Sequence, residues 1–503
     1  MTASQIFLDQ LMAGFAEQTL GQNPLISGLS SDSRTVKPGD LFFALAGGST
    51  HGNTFIEHAI NAGAVAIAMD TSHGNELATE LSHDGNVAVV LVENLNQKLG
   101  LIAARFFNEP SAQMQVVGIT GTNGKTSCSH LLAQCLADEK SLCGVIGTMG
   151  AGVWGKLKNI QHTTPGAIEL QAWLSSLLAQ GAGFVSMEVS SHGLEQGRVN
   201  GCQFSVAIFT NLSRDHLDYH GDMTAYGESK LKLFAWPGLK NVVVNLDDPF
   251  SEQVLQTVAN KNVQVLGVTL KNITTKHPIK TINAEIKSMH QHGTTLTLKS
   301  PWGDGELQSS LLGEFNASNL LSVLAALLLL DVPFKQACAR VEKAQAPVGR
   351  LETFGGETQP LVVVDYAHTP DALEKVLQTL KKHSPGKLWV LFGCGGDRDK
   401  GKRPEMGRVA EQIADVVWLT NDNPRTEDSS VIIEDIFQGI TNKESVVVEM
   451  DRARAIRNIV KAANQTDVVL IAGKGHEDYQ IVGDQRLDFS DRLLVAEVLG
   501  EAA

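Results

Sequence analysis

Residues 116–126 read VVGITGTNGKT, and this stretch decides the fold of the region around it. A β-branched run ends in a glycine-rich turn that carries Lys125 and Thr126, and a helical pattern follows at residues 127–139. This order is typical of a phosphate-binding loop, because the backbone N–H groups and the helix N-terminus close around phosphate oxygens. Lys125 can then reach the β- and γ-phosphates of a nucleotide, and Thr126 can offer its hydroxyl to Mg²⁺.

The glycine spacing of this loop departs from the usual GxxxxGK[ST] pattern. That pattern needs a glycine in place of Ile119, whereas the glycines here are Gly118, Gly121 and Gly124. On the residues alone, an ordinary glycine-rich turn with a solvated lysine remains the alternative.

Length and charge set the broad class of the protein. A chain of 503 residues suggests about three domains. The net charge of −14 argues against a nucleic-acid partner, since such proteins carry a basic footprint. An anionic substrate must therefore be bound by local clusters of Arg, Lys and helix N-termini.

The cysteines and the apolar runs indicate a cytoplasmic protein. The 6 cysteines form no CxxC pair, and scattered thiols fit a reducing compartment. No basic-then-apolar signal segment opens the chain. The longest apolar stretch, residues 320–330, is shorter than the roughly 20 residues of a membrane span. We expect no membrane insertion and interpret this stretch as a buried helix.

The alternation of strand-like and helical runs predicts an α/β protein with three domains. Residues 1–112 form a small mixed α/β N-terminal domain, which ends at the breaker cluster Asn108-Glu109-Pro110-Ser111. Residues 113–347 form a central P-loop domain with a mostly parallel sheet and attached antiparallel hairpins. Residues 348–503 form a C-terminal Rossmann-like doubly wound sheet.

The predicted elements follow from apolar runs bounded by turn residues. N-terminal strands are predicted within 39–45, 64–69 and 87–92, with a helix at 56–62. Central strands are predicted at 116–119, 143–146, 184–188, 206–209 and 241–244. Hairpin strands at 284–289 and 294–299 flank a turn at 290–293, a second turn is predicted at 303–305, and a helix at 319–330. C-terminal strands are predicted at 361–364, 388–392, 416–419, 445–448 and 468–471.

Chemistry-bearing residues follow several predicted strands, and ligands collect beyond the carboxyl ends of parallel strands. Glu188 ends one central strand, so it can share a metal with the phosphate-binding loop or simply face solvent. The loop at residues 211–221, which includes His216, has a metal or phosphate role or is a polar surface loop. In the C-terminal domain, polar loops follow four strands and predict one binding rim, at residues 365–370, 393–403, 422–425 and 473–477.

Seven segments together resemble the Mur ligase family, the ATP-dependent enzymes that build the peptide of peptidoglycan precursors. They are GTNGKT (121–126), MEVSSHGL (187–194), TNLSRDHLDYHG (210–221), YGESKLKLF (226–234), GEFNASN (313–319), GRLE (349–352) and DYAHTPD (365–371). The resemblance runs through most of the chain in the order of the family, and the family uses the same variant of the phosphate-binding loop. Within the family, GCGGDRDKGKRP, DNPR and GKGHEDYQ resemble members that add meso-2,6-diaminopimelate to UDP-N-acetylmuramoyl-L-alanyl-D-glutamate.

The resemblance implies a role for each domain and for particular residues. ATP would contact Gly118, Thr120, Gly121, Thr122, Asn123, Gly124, Lys125, Thr126, Ser127, Asn316, Asn319, Arg350 and Asp365. The UDP-muramoyl-dipeptide would contact Ser31, Ser33, Ser49, Thr50, His51, His162, Thr163, Thr164, Ser190, Gln196 and Arg198, with His162 at a place where relatives would carry asparagine. Diaminopimelate would contact Arg398, Asp422, Asn423, Pro424, Arg425, Gly473 and Glu477. Arg425 would bind the distal carboxylate; on the residues alone it is a surface arginine beside a proline turn.

The resemblance also implies Mg²⁺ as cofactor and a modified lysine. The catalytic set would be Lys125, Lys230, Glu188 and His216, and the metal would be held by Thr126, Glu188, His216 and Lys230. In the family, a lysine at the place of Lys230 is carbamylated, which replaces an ammonium that repels Mg²⁺ with hard oxygen ligands. Without the resemblance, Lys230 would be one more solvated lysine beside Lys232.

The implied reaction transfers the γ-phosphoryl group of ATP to the side-chain carboxylate of D-glutamate, and the amine of diaminopimelate then attacks the acyl phosphate. We expect the chain to act as a monomer. Two other classes stay open: a P-loop NTPase that couples hydrolysis to motion, and folylpolyglutamate synthetase, a relative with similar central motifs. The first needs no amino-acid site on a second sheet, and the second lacks a UDP-binding domain of this kind and the DNPR segment.

Overall fold

Short β-rich runs separated by helices form an α/β protein, as the sequence predicts. A computed structural model describes residues 5–46, 51–72, 78, 81, 87–138, 141–290 and 292–501. The chain divides into two compact units. The first holds residues 1–267, 275–280 and 325–330, and the second holds 268–274, 281–324 and 331–503.

The first unit opens with a small mixed sheet whose strand order is β2-β7-β6-β5-β4. The strands are β1 (Ile6–Phe7), β2 (Gln18–Leu20), β3 (Leu25–Ile26), β4 (Gly28–Ser30), β5 (Asp40–Ala44), β6 (Ala66–Asp70) and β7 (Ala88–Val92). The helices are α1 (Leu8–Met12), α2 (Ile56–Asn61) and α3 (Leu95–Phe106). The neighbours Phe42 and Phe43 are both buried but belong to two different hydrophobic clusters, so both faces of this sheet are covered.

The breaker cluster at residues 108–111 lies between helix α3 and the first strand of the central sheet. Asn108 and Glu109 both have positive φ, 59° and 49°, a region that few side chains adopt. A 3₁₀ turn at Pro110–Gln113 follows and leads into the first strand of the central sheet.

The central sheet of the first unit has the strand order β10-β9-β11-β8-β12-β13-β14. Its strands are β8 (Gln115–Thr120), β9 (Leu142–Gly147), β10 (Gly150–Val153), β11 (Ala182–Glu188), β12 (Val206–Phe209), β13 (Asn241–Asn245) and β14 (Gln264–Thr269). Its helices are α4 (Lys125–Leu136), α5 (Ala167–Ala179), α6 (Ser191–Glu195), α7 (Leu217–His220), α8 (Met223–Phe234) and α9 (Ser251–Val258). Strands β9, β11, β8, β12 and β13 pair in parallel. The neighbours Val116 and Val117 are both 0% exposed, as expected for a parallel sheet with both faces covered.

The second unit begins with an antiparallel meander. It consists of β15 (Lys280–His290), β16 (Gly293–Ser300) and β17 (Gly303–Ser309). Helices α10 (Glu314–Leu329) and α11 (Phe334–Glu342) follow, and residues 325–329 of α10 are counted with the first unit. The predicted turn at residues 303–305 is wrong, because Gly303 already pairs with Ser300 and the turn lies at Pro301 and Trp302. Helix α10 begins five residues before the predicted start, at Glu314 rather than Asn319.

The C-terminal sheet of the second unit has the strand order β18-β19-β23-β20-β21-β22. The strands are β18 (Glu352–Gly355), β19 (Leu361–Asp365), β20 (Leu388–Phe392), β21 (Val416–Leu419), β22 (Val447–Val448) and β23 (Val468–Ala472), and a hairpin adds β24 (Tyr479–Val482) and β25 (Gln485–Asp488). The helices are α12 (Pro370–His383), α13 (Lys402–Ile413), α14 (Ser429–Phe437), α15 (Arg452–Ala462) and α16 (Asp491–Leu499). Residues that alternate along the strands pack into two hydrophobic clusters. One cluster includes residues of α12, α13 and α14, and the other includes residues of α15 and α16. The predicted doubly wound sheet is therefore confirmed.

Two further predictions need correction. The strand predicted at residues 445–448 is reduced to Val447–Val448, because a 3₁₀ turn occupies Lys443–Ser445 and both valines are largely exposed. The helix predicted at 127–139 is Lys125–Leu136 in the structure, and Glu139 lies outside the described residues.

The thiols and the apolar run agree with the sequence analysis. None of the 6 cysteines forms a disulfide, and Cys128 and Cys135 are buried in the core. Leu320, Leu324 and Leu327 on α10 are almost fully buried, so the apolar run is a core helix. In the described part of the chain, no helix has the length and apolar character that a membrane span requires.

His383, the last residue of α12, joins three segments of the second unit. The backbone N–H of Gly313 donates to its Nε2 at 3.0 Å, so Nδ1 carries the proton and donates to the carbonyl of His290 at 2.8 Å. Burial lowers the pKa of His383 below its ordinary value of 6.5, although the bond to His290 opposes this shift. Protonation would remove the acceptor of the Gly313 N–H.

We predict that a His383→Gln variant loses part of the pH dependence of stability. A histidine whose pKa is lowered on folding contributes stability that is full above pH 6.5 and is lost as the pH falls through the lowered folded-state pKa. Urea unfolding from about pH 5 to pH 8 should therefore show the parent losing more stability on acidification than the variant. His58→Gln, at an exposed histidine, is the matched control. Equal pH slopes for the parent and His383→Gln would contradict this role.

Candidate functional site

The phosphate-binding loop lies between β8 and α4 in a conformation that depends on two glycines. Gly121 has φ +152°, and a Cβ atom there would lie 1.9 Å from the hydroxyl oxygen of Thr210. Gly124, with φ 85°, immediately precedes α4. The loop is thus held close to the end of β12, and the first turn of α4 offers its N–H groups at this edge of the sheet.

Residues that follow β12 hold the phosphate-binding loop in place by hydrogen bonds. Asn211 accepts from the backbone N–H groups of Thr122 and Asn123, through its carbonyl at 2.8 Å and its side chain at 2.9 Å. The hydroxyl of Thr210 donates to the carbonyl of Asn123 at 2.6 Å. The hydroxyl of Thr122 contacts Tyr226 Oη at 3.2 Å and donates to the carbonyl of Ser213 at 3.1 Å.

Two lysine ammonium groups converge on one backbone carbonyl. Lys125 Nζ and Lys230 Nζ each donate to the carbonyl oxygen of Gly121 at 2.9 Å. Lys230 is 1% exposed, and its Nζ lies 4.4 Å from the centre of the Tyr226 ring. Burial, reinforced by the charge of Lys125, lowers the pKa of Lys230 well below its ordinary value. The site is therefore electropositive, yet it favours the neutral amine at Lys230.

Glu188, the last residue of β11, is 0% exposed and joins three chain segments. Its carboxylate accepts from the hydroxyl of Thr126 at 3.0 Å, and from the N–H and hydroxyl of Thr148 at 2.8 and 3.2 Å. The strand-end glutamate thus faces the phosphate-binding loop rather than solvent. Thr148 was not predicted, although it follows the end of β9 and the strand-end rule could have identified it.

The residues predicted to hold the muramoyl-dipeptide extend this network. Thr163 Oγ1 lies 3.0 Å from Thr148 Oγ1, and Thr164 donates to the carbonyl of Glu188 at 2.9 Å. The Thr164 hydroxyl accepts from the N–H of Ser190, and the Thr164 carbonyl accepts from Arg198 at 2.8 Å. His162 is exposed.

Gln196 and Arg198 are linked to an aromatic cluster that the sequence analysis did not assign. Arg198 donates to Gln196 Oε1 at 2.9 and 2.6 Å, and Gln196 donates to Tyr219 Oη at 3.1 Å. The ring of His192 lies 4.2 Å from that of Tyr219 and 5.0 Å from that of His216, centre to centre. His216 has φ 53° and lies 6.0 Å from the Tyr226 ring, so it belongs to the same edge of the sheet.

The predicted uridine-nucleotide residues lie at one edge of the N-terminal sheet. Ser31 and Ser33 follow β4, and His51 follows β5, the parallel neighbour of β4. Ser33 is buried, Ser31 is exposed, and His51 accepts from the N–H of Asn53. Ser49 and Thr50 lie outside the described residues.

The other predicted ATP-contacting residues belong to the second unit. Asn316 and Asn319 are buried, and Asn319 Nδ2 donates to Asn316 Oδ1 at 3.2 Å. The guanidinium of Arg350 lies 5.0 Å from the centre of the Tyr366 ring. Asp365 uses both carboxylate oxygens to accept N–H groups, from Leu351 and from Ala367, each at 2.8 Å. Burial raises the pKa of Asp365, although Arg350 opposes the shift.

Three of the four predicted rim loops of the C-terminal sheet meet around Asn423 and Arg425. Arg425 is half-buried with φ 51°, and its Nη1 donates to the carbonyl of Gly396 at 2.8 Å and weakly to that of Asn423 at 3.4 Å. Asn423 Nδ2 donates to Glu477 Oε2 at 3.0 Å. A Cβ atom at Gly473 would lie 2.9 Å from Asp422 Oδ2, so the glycine leaves room for this carboxylate.

The remaining rim residues lie at its margin or support it from below. Pro424 is buried, whereas Arg398 is exposed and donates to the carbonyl of Asp397. The fourth rim loop, residues 365–370, is linked to the loop at residues 473–477, because the N–H of Gly473 donates to the carbonyl of Asp365 at 3.1 Å. A fully buried ion pair, Arg452 with Asp491 at 2.7 Å, supports the rim through bonds to the carbonyls of Asn421 and Ala472.

The hairpin β24–β25 was not predicted to contribute, and Lys474 was predicted only as a member of the polar loop at residues 473–477, without a role of its own. The N–H of Arg425 donates to the carbonyl of Ile481 at 3.1 Å, and the N–H of Gly483 donates to the carbonyl of Arg425 at 2.8 Å. The N–H of Ile481 donates to Asn423 Oδ1 at 2.9 Å. The hairpin therefore fixes the loop that carries Asn423 and Arg425 from the side opposite the sheet strands.

Family models match three consecutive parts of the chain. The catalytic domain of the Mur ligase family matches residues 25–107, the Mur ligase middle domain matches 119–327, and the glutamate ligase domain matches 349–475. The chain belongs to the Mur ligase family. Membership makes it an ATP-dependent ligase, as the sequence analysis expects.

Two members of the Mur ligase family that resemble this chain carry the same enzyme name. The UDP-N-acetylmuramoyl-L-alanyl-D-glutamate--2,6-diaminopimelate ligase of Coxiella burnetii is 45% identical over 485 residues, which cover 96% of this chain and 98% of the relative. The structure of a ligase with the same name is 37% identical and superposes with a TM-score of 0.75, covering 99% of both chains.

A third comparison concerns the alternative kept open by the sequence. Folylpolyglutamate synthase from Mycobacterium tuberculosis is 17% identical and has a TM-score of 0.59, which shows a shared fold alone. The structural match covers 92% of the synthase and 75% of this chain.

Proposed function

We propose that the chain joins meso-2,6-diaminopimelate to the D-glutamate of UDP-N-acetylmuramoyl-L-alanyl-D-glutamate in an ATP-dependent reaction, and that the reaction passes through an acyl phosphate. One observation carries this proposal beyond family membership. A second polar site, rich in paired charges, lies at the strand ends of the C-terminal sheet, in addition to the phosphate-binding loop. An NTPase that only couples hydrolysis to motion has no use for such a site.

In this proposal the phosphate-binding loop holds the triphosphate and stabilises the transferring group. Lys125 leaves the carbonyl of Gly121 and spreads the charge of the γ-phosphoryl group, because a fixed cation is most effective where negative charge develops. The proposed ATP contacts are residues 118–127 and, by the resemblance to the family, Asn316, Asn319, Arg350 and Asp365.

Glu188 at the end of β11 and Thr126 at the start of α4 have oxygen atoms of the kind that can hold a magnesium ion. In the described part of the chain, no three His, Cys, Asp or Glu side chains gather in a way that would hold a metal by themselves. The buried carboxylate of Glu188 and the hydroxyl of Thr126 lie 3.0 Å apart, and both are hard oxygen donors of the kind Mg²⁺ prefers. We propose that these two groups, His216 and a modified Lys230 hold the metal. When bound, Mg²⁺ would neutralise charge on the phosphoryl oxygens.

Lys230 is proposed to be a carbamate in the active enzyme. The ammonium would first lose a proton, and the neutral amine nitrogen would then attack the carbon of CO₂ and lose a second proton, so that the charge of the side chain changes overall from positive to negative. The lowered pKa supports this step, because only the neutral amine has the lone pair that attacks. The carbamate would also end the repulsion between Lys230 and Lys125.

The muramoyl-dipeptide is proposed to lie along the edge from Thr163 to Arg198. Thr163, Thr164, Ser190 and Gln196 would orient the peptide by hydrogen bonds, and Arg198 would pair with a carboxylate. In the N-terminal sheet, Ser31, Ser33, Ser49, Thr50 and His51 would bind the uridine nucleotide, with His162 near the peptide. The side-chain carboxylate of D-glutamate then attacks the γ-phosphorus, and ADP leaves.

Diaminopimelate is proposed to bind at the C-terminal rim. Its distal carboxylate would pair with the guanidinium of Arg425, near Arg398, because a guanidinium can bind both carboxylate oxygens. Glu477 would pair with the distal ammonium, and Asp422, Asn423, Pro424 and Gly473 would line the cradle. The other amine attacks the acyl phosphate, and the tetrahedral intermediate collapses to the amide and phosphate.

The organisation of the chain is part of the proposal. We propose domains at residues 1–112 for the UDP end, 113–347 for ATP and metal, and 348–503 for the amino acid. The enzyme would act as a monomer in the cytoplasm, a reducing compartment that agrees with 6 cysteines that form no disulfide.

We predict that phosphate release requires both acceptor and amine. Phosphate release measured with ATP and UDP-N-acetylmuramoyl-L-alanyl-D-glutamate should be fast with meso-2,6-diaminopimelate and slow with L-lysine or L-glutamate. Only diaminopimelate presents both a distal carboxylate to Arg425 and a distal ammonium to Glu477. Omission of either substrate is the control. Equal phosphate release without the amine would favour an NTPase, and preference for L-glutamate would favour a glutamate-adding ligase.

We predict that Lys230→Ala lowers the turnover rate by several orders of magnitude, since a proposed metal ligand is lost. A short carboxylic acid added in solution should restore part of the activity by supplying oxygen ligands at the vacated position. Lys232→Ala is the matched control, because Lys232 is exposed and paired with Glu195. Near-normal turnover of Lys230→Ala would rule out the carbamate.

We predict that Arg425→Ala raises the KM for meso-2,6-diaminopimelate by well over tenfold and leaves the KM for ATP little changed. Removal of one partner of a buried charge pair typically costs ~2–5 kcal/mol. Arg408→Ala, at an exposed arginine of α13, controls for loss of a positive charge from the same domain. If Arg425→Ala still discriminated diaminopimelate from lysine as the parent does, the assignment of Arg425 would be wrong.

A further inference from the structure

Lys474 lies 0% exposed among the residues proposed to bind diaminopimelate. Its Nζ lies 3.2 Å from Glu477 Oε2, 3.1 Å from Asn423 Oδ1 and 3.5 Å from Asp422 Oδ1. A buried ammonium is costly unless it is paired, and here each of its three N–H bonds can point to an oxygen. None of the roles proposed for the neighbouring residues requires a lysine at this position.

The contacts of Lys474 fix the orientation of the neighbouring polar groups. Because Asn423 Oδ1 accepts from Lys474 and from the N–H of Ile481, its Nδ2 must point to Glu477, to which it donates at 3.0 Å. Glu477 therefore uses Oε2 within the protein, while Oε1 is left for a ligand. The side chains of Asp422 and Glu477 keep only 10% and 16% exposure.

This cradle consists of Asn423 and the four charged residues beside it, and their formal charges cancel. Arg425 and Lys474 are positive, Asp422 and Glu477 are negative, and Asn423 is hydrogen-bonded to Arg425, Lys474 and Glu477. Arg398 is exposed at the margin of the rim and is not part of this cradle. Without Lys474, the cradle would carry one net negative charge. Charges with low exposure are screened weakly by salt, so this balance acts directly on a bound ligand.

The charge balance matters because the candidate amines differ in charge at the distal end. The distal end of diaminopimelate carries an ammonium and a carboxylate and has no net charge, whereas that of lysine carries only an ammonium. A neutral cradle with separated charges suits the zwitterionic end, and a negative cradle suits the cationic end.

We propose that Lys474 is a specificity-determining residue, whose buried positive charge balances Asp422 and Glu477 so that the zwitterionic end of an amino acid is accepted and a solely cationic end is rejected. This inference rests on the proposed function, since it takes the rim as the amino-acid site. It differs from the role of Arg425, which binds the extra carboxylate directly.

The test compares kcat and KM for meso-2,6-diaminopimelate and L-lysine in a set of variants. Lys474→Met keeps the length of the side chain and removes the charge, so the preference for diaminopimelate should fall by about tenfold or more, mainly through KM. Asp422→Asn changes the balance in the opposite direction and should strengthen rejection of L-lysine. The double variant restores neutrality and should recover most of the preference lost in Lys474→Met.

A merely structural lysine would behave differently in the same measurements. It would lower the melting temperature or kcat for both amines alike, and Asp422→Asn would not rescue it. Lys381→Met is the control, because it removes an exposed, paired lysine from the same domain. The KM for ATP should stay unchanged throughout.

Each outcome decides the inference. An unchanged preference in Lys474→Met, or no recovery in the double variant, overturns it. If Lys474→Met does not fold, Asp422→Asn decides, since an unchanged or weaker rejection of L-lysine overturns the inference. A parent enzyme that does not use diaminopimelate overturns the proposed function instead, so the two failures are distinguishable.

Discussion

The candidate site of the first unit depends on the hydrogen bonds that the buried carboxylate of Glu188 accepts. A carboxylate with no solvent exposure is tolerated only when its oxygens accept hydrogen bonds, and here Thr126 and Thr148 supply them. These donors come from the start of α4 and the end of β9, and the Glu188 carbonyl binds Thr164. One residue thus holds the phosphate-binding loop and the residues of the proposed peptide site in a fixed relation.

Two buried lysines illustrate how surroundings decide the chemistry of one side-chain type. Lys230 contacts a carbonyl and an aromatic ring close to another ammonium, and its pKa is lowered accordingly. Lys474 lies between two carboxylates and forms ion pairs with both. The first environment suits a nucleophilic amine that can be modified, whereas the second provides partners of opposite charge.

Both sites follow from a constraint of parallel sheets. The carboxyl ends of parallel strands share one edge, so loops that follow different strands meet there. In the central sheet this edge gathers the loop before α4, Thr148, Glu188 and Asn211. In the C-terminal sheet it gathers Gly396, Asn423, Arg425 and Glu477, and the strands beneath need carry only apolar residues.

The sequence determined most strands of the three sheets, because short β-branched runs bounded by glycine or polar residues have few alternatives. Strands β12, β20 and β21 have the predicted bounds. The failures have local causes. The Gly303-Asp304-Gly305 stretch has turn composition but is held in β17 by pairing with β16, and Val447–Val448 is an edge pair with little burial to extend it.

The sequence also predicted which loops carry polar residues, since their motifs are local in the chain. Only the tertiary structure decided which of these residues touch. Thr148, Tyr219 and Lys474 act through partners that are distant in sequence, such as Glu188, Gln196 and Asn423, and no local pattern encodes such contacts. The burial of a side chain is likewise decided only by the tertiary structure. Lys230 and Lys474 cannot be told from solvated lysines in the sequence, because only packing in the folded chain removes them from water.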